Sequence, residues 1–292
     1  MKHRFLAVPL SFIFRLAFAL CLLAAALPSA GLAAQLLAIQ SSDSLNTLGQ
    51  AWVKAYAARN SDIRIDLKSG SAAAALEALA KREVQMALVP RSMRYPELQA
   101  CEQALGRRPV EFKVAVNGLA IYLHPANPVK ELTYDELFGI FSGKHRDWKD
   151  AGGNAGAIAV FAMDKASGPG ELFAEEVMNG KPLSASVQTL PGNELLAAVA
   201  KNPNGIGFGS LVQNPAVRAV PIKRAFSSTP VEPSAETISA RIYPISRFVF
   251  CYAGTTNAET KHFLDWVRGD EGQQVAARSG YYQLAARWRT SP

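Results

Sequence analysis

The chain is short of the residues that catalysis and metal binding draw on. Its 292 residues include four histidines and three cysteines, and His3, His124, His145 and His262 stand at no metal-ligand spacing from Cys, Asp or Glu. No serine lies in a GxSxG elbow, because SGSAA at Ser71 lacks the second glycine, and no GxxxxGK[ST] phosphate loop occurs. A hydrolase would need a nucleophile and a base that the sequence does not supply, so the expectation is a protein that is not an enzyme and uses no metal or cofactor. Long apolar runs are equally scarce. Residues 16–27 form an uninterrupted run of 12, below the roughly 20 that a membrane-spanning helix needs, and nothing later approaches that length. Lysines and arginines are dispersed rather than clustered with aromatics, so nucleic acid is not an expected partner.

What is present suits a globular, exported chain. Hydrophobic residues make up 49% and charged residues 19%, values of an ordinary folded protein with ample material for a core. Lys2, His3, Arg4 and Arg15 precede the apolar run, and PSAGLAA follows it. That order predicts a cleaved secretory signal peptide over residues 1–33 and a periplasmic location. The leader holds Lys2, Arg4 and Arg15 and no acid, so its removal lowers the formal charge from +7 to +4. A mildly basic surface fits a small anionic ligand. In an oxidising compartment Cys101 and Cys251 could pair or remain as two buried free thiols, and the sequence leaves both open.

From residue 36 a unit of strand, serine-rich turn and helix recurs. Residues 36–39 read as a buried strand that ends in SSDS, with Ser44 placed to cap a helix carrying Leu45, Leu48, Trp52 and Tyr56 on one face. Residues 63–67 alternate as a strand, then KSGS leads into an alanine-rich helix over 72–82. A third strand over 84–89 ends at Pro90 and Arg91, and strand-like runs follow at 111–116 and 119–123. After a surface loop and a short amphipathic helix the pattern restarts, with a strand at 158–161, a loop at 164–168 and a helix over 169–178. Later candidates are a helix at 194–200, strands at 206–208 and 242–252, and closing helices at 259–268 and 272–278. Alternating strands and helices predict an α/β fold with mainly parallel sheets.

Three of these strands end in a Ser/Gly turn that opens a helix: SSDS before Leu45, SGS before Ala72, and ASGPG before Glu171. Helix N-termini beyond the carboxyl ends of strands present backbone N–H groups and a positive dipole end to an anion. Any one such turn reads first as a helix cap, whereas three in one chain shift the balance towards a shared ligand. Arg91, just after the third strand, either adds a fork of donors to an oxyanion or is a surface arginine.

Several segments resemble the phosphate-type solute-binding proteins of bacterial ABC transporters, which are two-lobed type 2 periplasmic binding proteins. SSDSL followed by Trp52 looks like the family's GS(S/D)T start, and SGSAAAALEAL resembles its GSG turn. GLAIYLHPANPVKELTYDELFGIFSGKHRDWKDAGG is similar over its full length to the family's most recognisable segment. NPNGIGFGSL, YPISRFVFCYAG and GDEGQQVAARSGYYQL match later blocks in order.

The resemblance implies two α/β lobes, each a mainly parallel sheet flanked by helices, joined by two hinge strands. Lobe 1 would comprise residues 34–115 and 244–292, and lobe 2 residues 116–243. It further implies a monomer that closes on a small inorganic, phosphate-like anion and delivers it to an inner-membrane ABC permease. The family's ligand donors map to Ser44, Ser71, and Ser167 with the Gly168 N–H; Ser42, Arg91 and Lys165 complete the candidate set. The third turn departs from the family pattern R-x-x-x-S-G-T-R, having Met163, Pro169 and Gly170 at the first arginine, the threonine and the second arginine. Charge-assisted hydrogen bonds contribute about 1.5 to 3 kcal/mol each, so these losses would weaken phosphate unless Lys165, Lys68 or Arg91 compensates. The alternative is a periplasmic sensor or partner-docking module of the same fold that binds phosphate weakly or not at all.

Overall fold

In the computed structural model the described residues are 35–289, so the leader expected at 1–33 lies outside them. In the first half of the chain, strands β1 (Gln35–Ser42), β2 (Ile63–Gly70), β3 (Met86–Val89), β4 (Val110–Gly118), β5 (Ala120–Leu123) and β6 (Leu132–Thr133) alternate with helices. Those helices are α1 (Asn46–Ala57), α2 (Ala72–Ala80), α3 (Tyr95–Leu105) and α4 (Tyr134–Phe141). The second half contributes β7 (Ala159–Ala162), α5 (Gly168–Glu176), β8 (Gln188–Thr189), α6 (Gly192–Lys201), β9 (Gly205–Gly209), β10 (Arg218–Val220) and β11 (Ile222–Lys223). Helix α7 (Ala235–Ser239), strand β12 (Ser246–Ala253) and helices α8 (Ala258–Arg268), α9 (Asp270–Arg278) and α10 (Ala286–Arg289) complete it.

Two five-stranded sheets form the two lobes, in the orders β2-β1-β3-β12-β4 and β10-β5-β9-β7-β8. Parallel pairing holds where strand, turn and helix alternate: β1 with β3, and β7 with both β8 and β9. Antiparallel pairs complete each sheet, with β12 between β3 and β4 and β5 between β9 and β10. The architecture is therefore mixed α/β in two lobes. A small parallel pair, β6 with β11, sits beside the second sheet.

Each lobe owns a core. In the first, Trp52 and Tyr56 of α1 pack with Leu37 and Ile39 of β1 and with Phe263 and Leu264 of α8. The spacing of Leu48, Trp52 and Tyr56 puts all three on the inward face of α1. In the second, Phe173 of α5 stacks on Phe208 of β9, with ring centres 4.1 Å apart, and meets Phe141 of α4 at 4.5 Å. Burying these rings contributes to the stability of this lobe.

Where β4 passes into β5 the backbone is tightly confined. A Cβ on Gly118 would lie 2.5 Å from an Ile238 methyl carbon, and the Leu119 N–H donates to the Ile245 carbonyl at 3.2 Å. The C-terminal segment is tied to the same place by the Val116–Tyr282 bridge. Buried Gln273 completes the junction, donating to the carbonyls of Val114 and Val267 and accepting from the Leu284 N–H. With every polar atom of that amide satisfied, burial carries no desolvation penalty for an unpaired group.

Candidate functional site

The three serine turns lie in one neighbourhood. Ser69, in the second turn, donates to the Asp43 carboxylate of the first at 2.6 Å. Ser44, in the first turn, donates to the Glu171 carboxylate of α5 at 2.6 Å, across 127 positions of sequence. Gly168 allows the close approach of α5 to the first lobe: a Cβ there would stand 3.1 Å from the Tyr281 hydroxyl oxygen and 3.6 Å from the Ser44 carbonyl oxygen. Asn117, on β4, donates to the Gly168 carbonyl at 3.3 Å, and the Tyr281 hydroxyl donates to the Ser44 carbonyl at 3.1 Å.

The turns differ locally. Ser44 lies inside a 3-10 turn over Asp43–Leu45, with buried Ser42 at the N-cap position and 3.1 Å between the two hydroxyl oxygens. Helix α1 begins only at Asn46, so Ser44 is not the cap that its position before Leu45 predicts, and its hydroxyl is free to reach Glu171. Ser71 and Ser167 are true caps. The Ser71 hydroxyl accepts from the Ala74 N–H at 3.1 Å, and that of Ser167 accepts from the Gly170 N–H at 3.1 Å while donating to the Asp164 carbonyl. Extended backbone at both serines, with the side chain folded back on the first turn, is the geometry that favours serine at helix starts.

Arg91 stands at the edge of the same region but is engaged. Its guanidinium forks onto Glu97 of α3 with bonds of 2.8 and 2.7 Å. The Arg91 hydrogen bonds are the largest influence holding the Glu97 carboxyl below the usual glutamate range, against the opposing effect of burial. Lys165 is exposed on the loop after β7 and lines, with Met163, Phe173 and Phe208, a cavity of about 350 Å³ on the flank of α5.

Buried charge is concentrated on Arg247, at the start of β12. It is 5% exposed and is held by two carboxylates of α5, Glu171 at 3.1 Å and Glu175 in a closer contact. A buried guanidinium is retained only where partners of opposite charge surround it. Glu171 and Glu175, one helical turn apart, supply those partners from the opposite lobe. Tyr281, next to this group, has its hydroxyl pushed up chiefly by burial and secondarily by the Glu171 charge.

Residues 28–271 match the PBP superfamily domain, most of the chain. The chain belongs to the PBP superfamily. Phosphate-binding protein PstS of Pseudomonas aeruginosa is 28% identical over 265 residues, covering 84% of this chain and 82% of that protein. The crystal structure of an ABC-type phosphate transport receptor from Vibrio cholerae superposes with a TM-score of 0.71 at 23% identity, over 85% of this chain and 99% of that one. PstS from Borrelia burgdorferi gives a TM-score of 0.73 at 17% identity, over 86% and 100% of the two chains. This member of the superfamily thus shares the two-lobed fold of phosphate-type solute-binding proteins, in agreement with the resemblance of its motifs.

Cys101 and Cys251, left open by the sequence, are buried free thiols. Burial pushes the Cys251 thiol up to about 12. Among the described residues no helix is long and apolar enough to cross a membrane, and no group of His, Cys, Asp and Glu is arranged to hold a metal ion. Glu175 and Asn117 belong to no motif that the sequence displays, and Arg247 and Tyr281 fall within the family-like blocks YPISRFVFCYAG and GDEGQQVAARSGYYQL without being marked there as site residues. The signal available for Arg247 is a single charged residue within the apolar strand IYPISRFVFCY.

Proposed function

We propose that the chain is a periplasmic solute-binding protein for phosphate or a related small oxyanion, which it delivers to an inner-membrane ABC permease. It acts as a monomer without cofactor or covalent chemistry. Residues 34–115 with 244–292 form one lobe and residues 116–243 the other, with the anion held between them. Ser42, Ser44, Ser71, Ser167, the Gly168 N–H, Arg91 and Lys165 are the donors assigned to this role. The observation that carries the reading is the meeting of the serine turns, Ser69 with Asp43 and Ser44 with Glu171. Relatives that carry phosphate binding in their names support it over most of the chain length.

A second reading, a sensor or docking module with weak phosphate binding, is favoured by the residues at the departures. Met163 places a thioether where the family has a guanidinium, Pro169 removes an N–H, and Arg91 is committed to Glu97. Calorimetric titration with phosphate, sulfate and a panel of small carboxylates separates the two. Saturable phosphate or sulfate binding upholds the transport reading, and no heat from any of them at millimolar concentration overturns it.

A further inference from the structure

The contact between Ser44 and Glu171 has the form of a ligand contact made by the protein itself. A carboxylate presents two oxygens carrying one negative charge, as a bound oxyanion would, and one of them, Glu171 Oε2, takes both the Ser44 hydroxyl at 2.6 Å and the Arg247 Nη2 at 3.1 Å. Ser44 belongs to the first lobe and Arg247 to β12 of the same sheet, whereas Glu171 rides on α5 of the second lobe. One carboxylate therefore joins the lobes through donors of the first. Glu175, one turn further on, adds a second contact to Arg247. The Arg247 Nε–H, buried with the rest of the side chain, has no partner among the described residues.

We infer that Glu171 is the built-in occupant of the anion site: it holds the lobes together when no ligand is present, and an oxyanion binds by displacing it. This rests on the proposed oxyanion reading and adds a specificity-determining residue to it. Two physical points support the step. The Ser44 hydroxyl has one proton to donate, so Glu171 and an incoming anion cannot both receive it. In addition, Glu171 and Glu175 place two negative charges against the single charge of Arg247, and Arg91 is already forked onto Glu97, so a dianion entering beside an undisplaced Glu171 meets uncompensated like charge. Apparent affinity then falls by the fraction of molecules in which the latch is open, and a residue of this kind sets a threshold concentration of ligand.

The test uses the full chain with nitroxide labels at Lys54→Cys on α1 and Lys201→Cys on α6, both exposed positions. The native thiols are buried and stay unlabelled. Pulsed dipolar spectroscopy in phosphate-free buffer reads the distance between lobes, and calorimetry with inorganic phosphate reads affinity. Both are run on the parent, Glu171→Gln and Glu171→Ala, with circular dichroism confirming the fold. The expected result is a single short distance in the parent, a longer or broadened distribution in both variants, and phosphate affinity raised about tenfold or more by removal of the competing carboxylate. Superimposable ligand-free distributions, or equal phosphate affinity in parent and variants, would overturn the inference. Opening of the variants with no phosphate bound by any of the three upholds the lobe-holding role, overturns displacement by phosphate and discards the phosphate reading.

Discussion

Glu97 grips Arg91 through both carboxylate oxygens, with Nη1 to Oε2 at 2.8 Å and Nη2 to Oε1 at 2.7 Å, and it also accepts the Arg94 backbone N–H at 2.7 Å. The fork fixes the start of α3 against the end of β3. Both Arg91 Nη atoms donate to this one carboxylate.

Acid stability follows from that fork. The folded Glu97 carboxyl is held low chiefly by its Arg91 hydrogen bonds, with burial opposing. A depressed carboxyl contributes stability that is present above the unfolded value, about 4.3, and is lost as pH falls through the lower folded value. Glu97→Gln is therefore expected to cost about 1 to 3 kcal/mol at pH 7. The difference from the parent should shrink as the pH is lowered from roughly 4.3. Urea denaturation at a series of pH values checks this, and a constant difference down to acid pH would contradict it.

The buried thiols give a second expectation. Cys251 is pushed up to about 12 and Cys101 is raised, both by burial first. Only the thiolate attacks a disulfide reagent, so neither residue should react with one at pH 8 in the folded protein, and both should react in denaturant. The melting temperature should be the same with and without reductant. Rapid labelling of Cys101 or Cys251 in native buffer would refute this.

Much of the fold is legible from local pattern because local physics sets it. The serine turns at Ser71 and Ser167 start helices as the sequence says, since capping needs only residues within one turn. Ser44 behaves otherwise because a 3-10 turn intervenes before Asn46, a choice made by contacts with Glu171 and Tyr281 far along the chain. The antiparallel place of β12 between β3 and β4 likewise depends on pairing across more than a hundred residues. Arg247 illustrates the limit for the site itself. Its burial depends on carboxylates 76 and 72 positions earlier, which no local spacing reveals.

The aromatic stack behind α5 should control the stability of the second lobe. Phe173 is almost wholly buried, and its ring lies 4.1 Å from that of Phe208 at an interplanar angle of 7°. Phe173→Ala is expected to cost about 3 to 5 kcal/mol, from lost transfer energy plus the cavity left behind. Phe173→Leu should cost clearly less, because most of the volume is kept. Equilibrium urea unfolding measures both, and equal effects would show that the stack collapses freely.

Of the departures from the family's third turn, Gly170 is the one tied to the path of the preceding backbone. A Cβ on Gly170 would stand 1.9 Å from the Asp164 carbonyl oxygen and 2.6 Å from its carbon, both backbone atoms that cannot rotate aside. The same carbonyl accepts the Ser167 N–H at 2.9 Å and the Ser167 hydroxyl, so moving it breaks the turn that starts α5. A side chain at 170 therefore needs a different path through residues 164–167, and an arginine cannot be restored there alone. Met163 is less constrained, since it lines an open cavity beside Lys165. Gly170→Ala is expected to lower stability by about 1 to 3 kcal/mol, the range for forced overpacking. Met163→Arg should cost less, because its long stem can carry the guanidinium out to the cavity mouth. Thermal and urea unfolding of the two single variants gives the comparison directly. A Gly170→Ala protein as stable as the parent would mean that the Asp164 turn shifts freely, and the separation of this loop from the family's would then lie in side-chain chemistry alone.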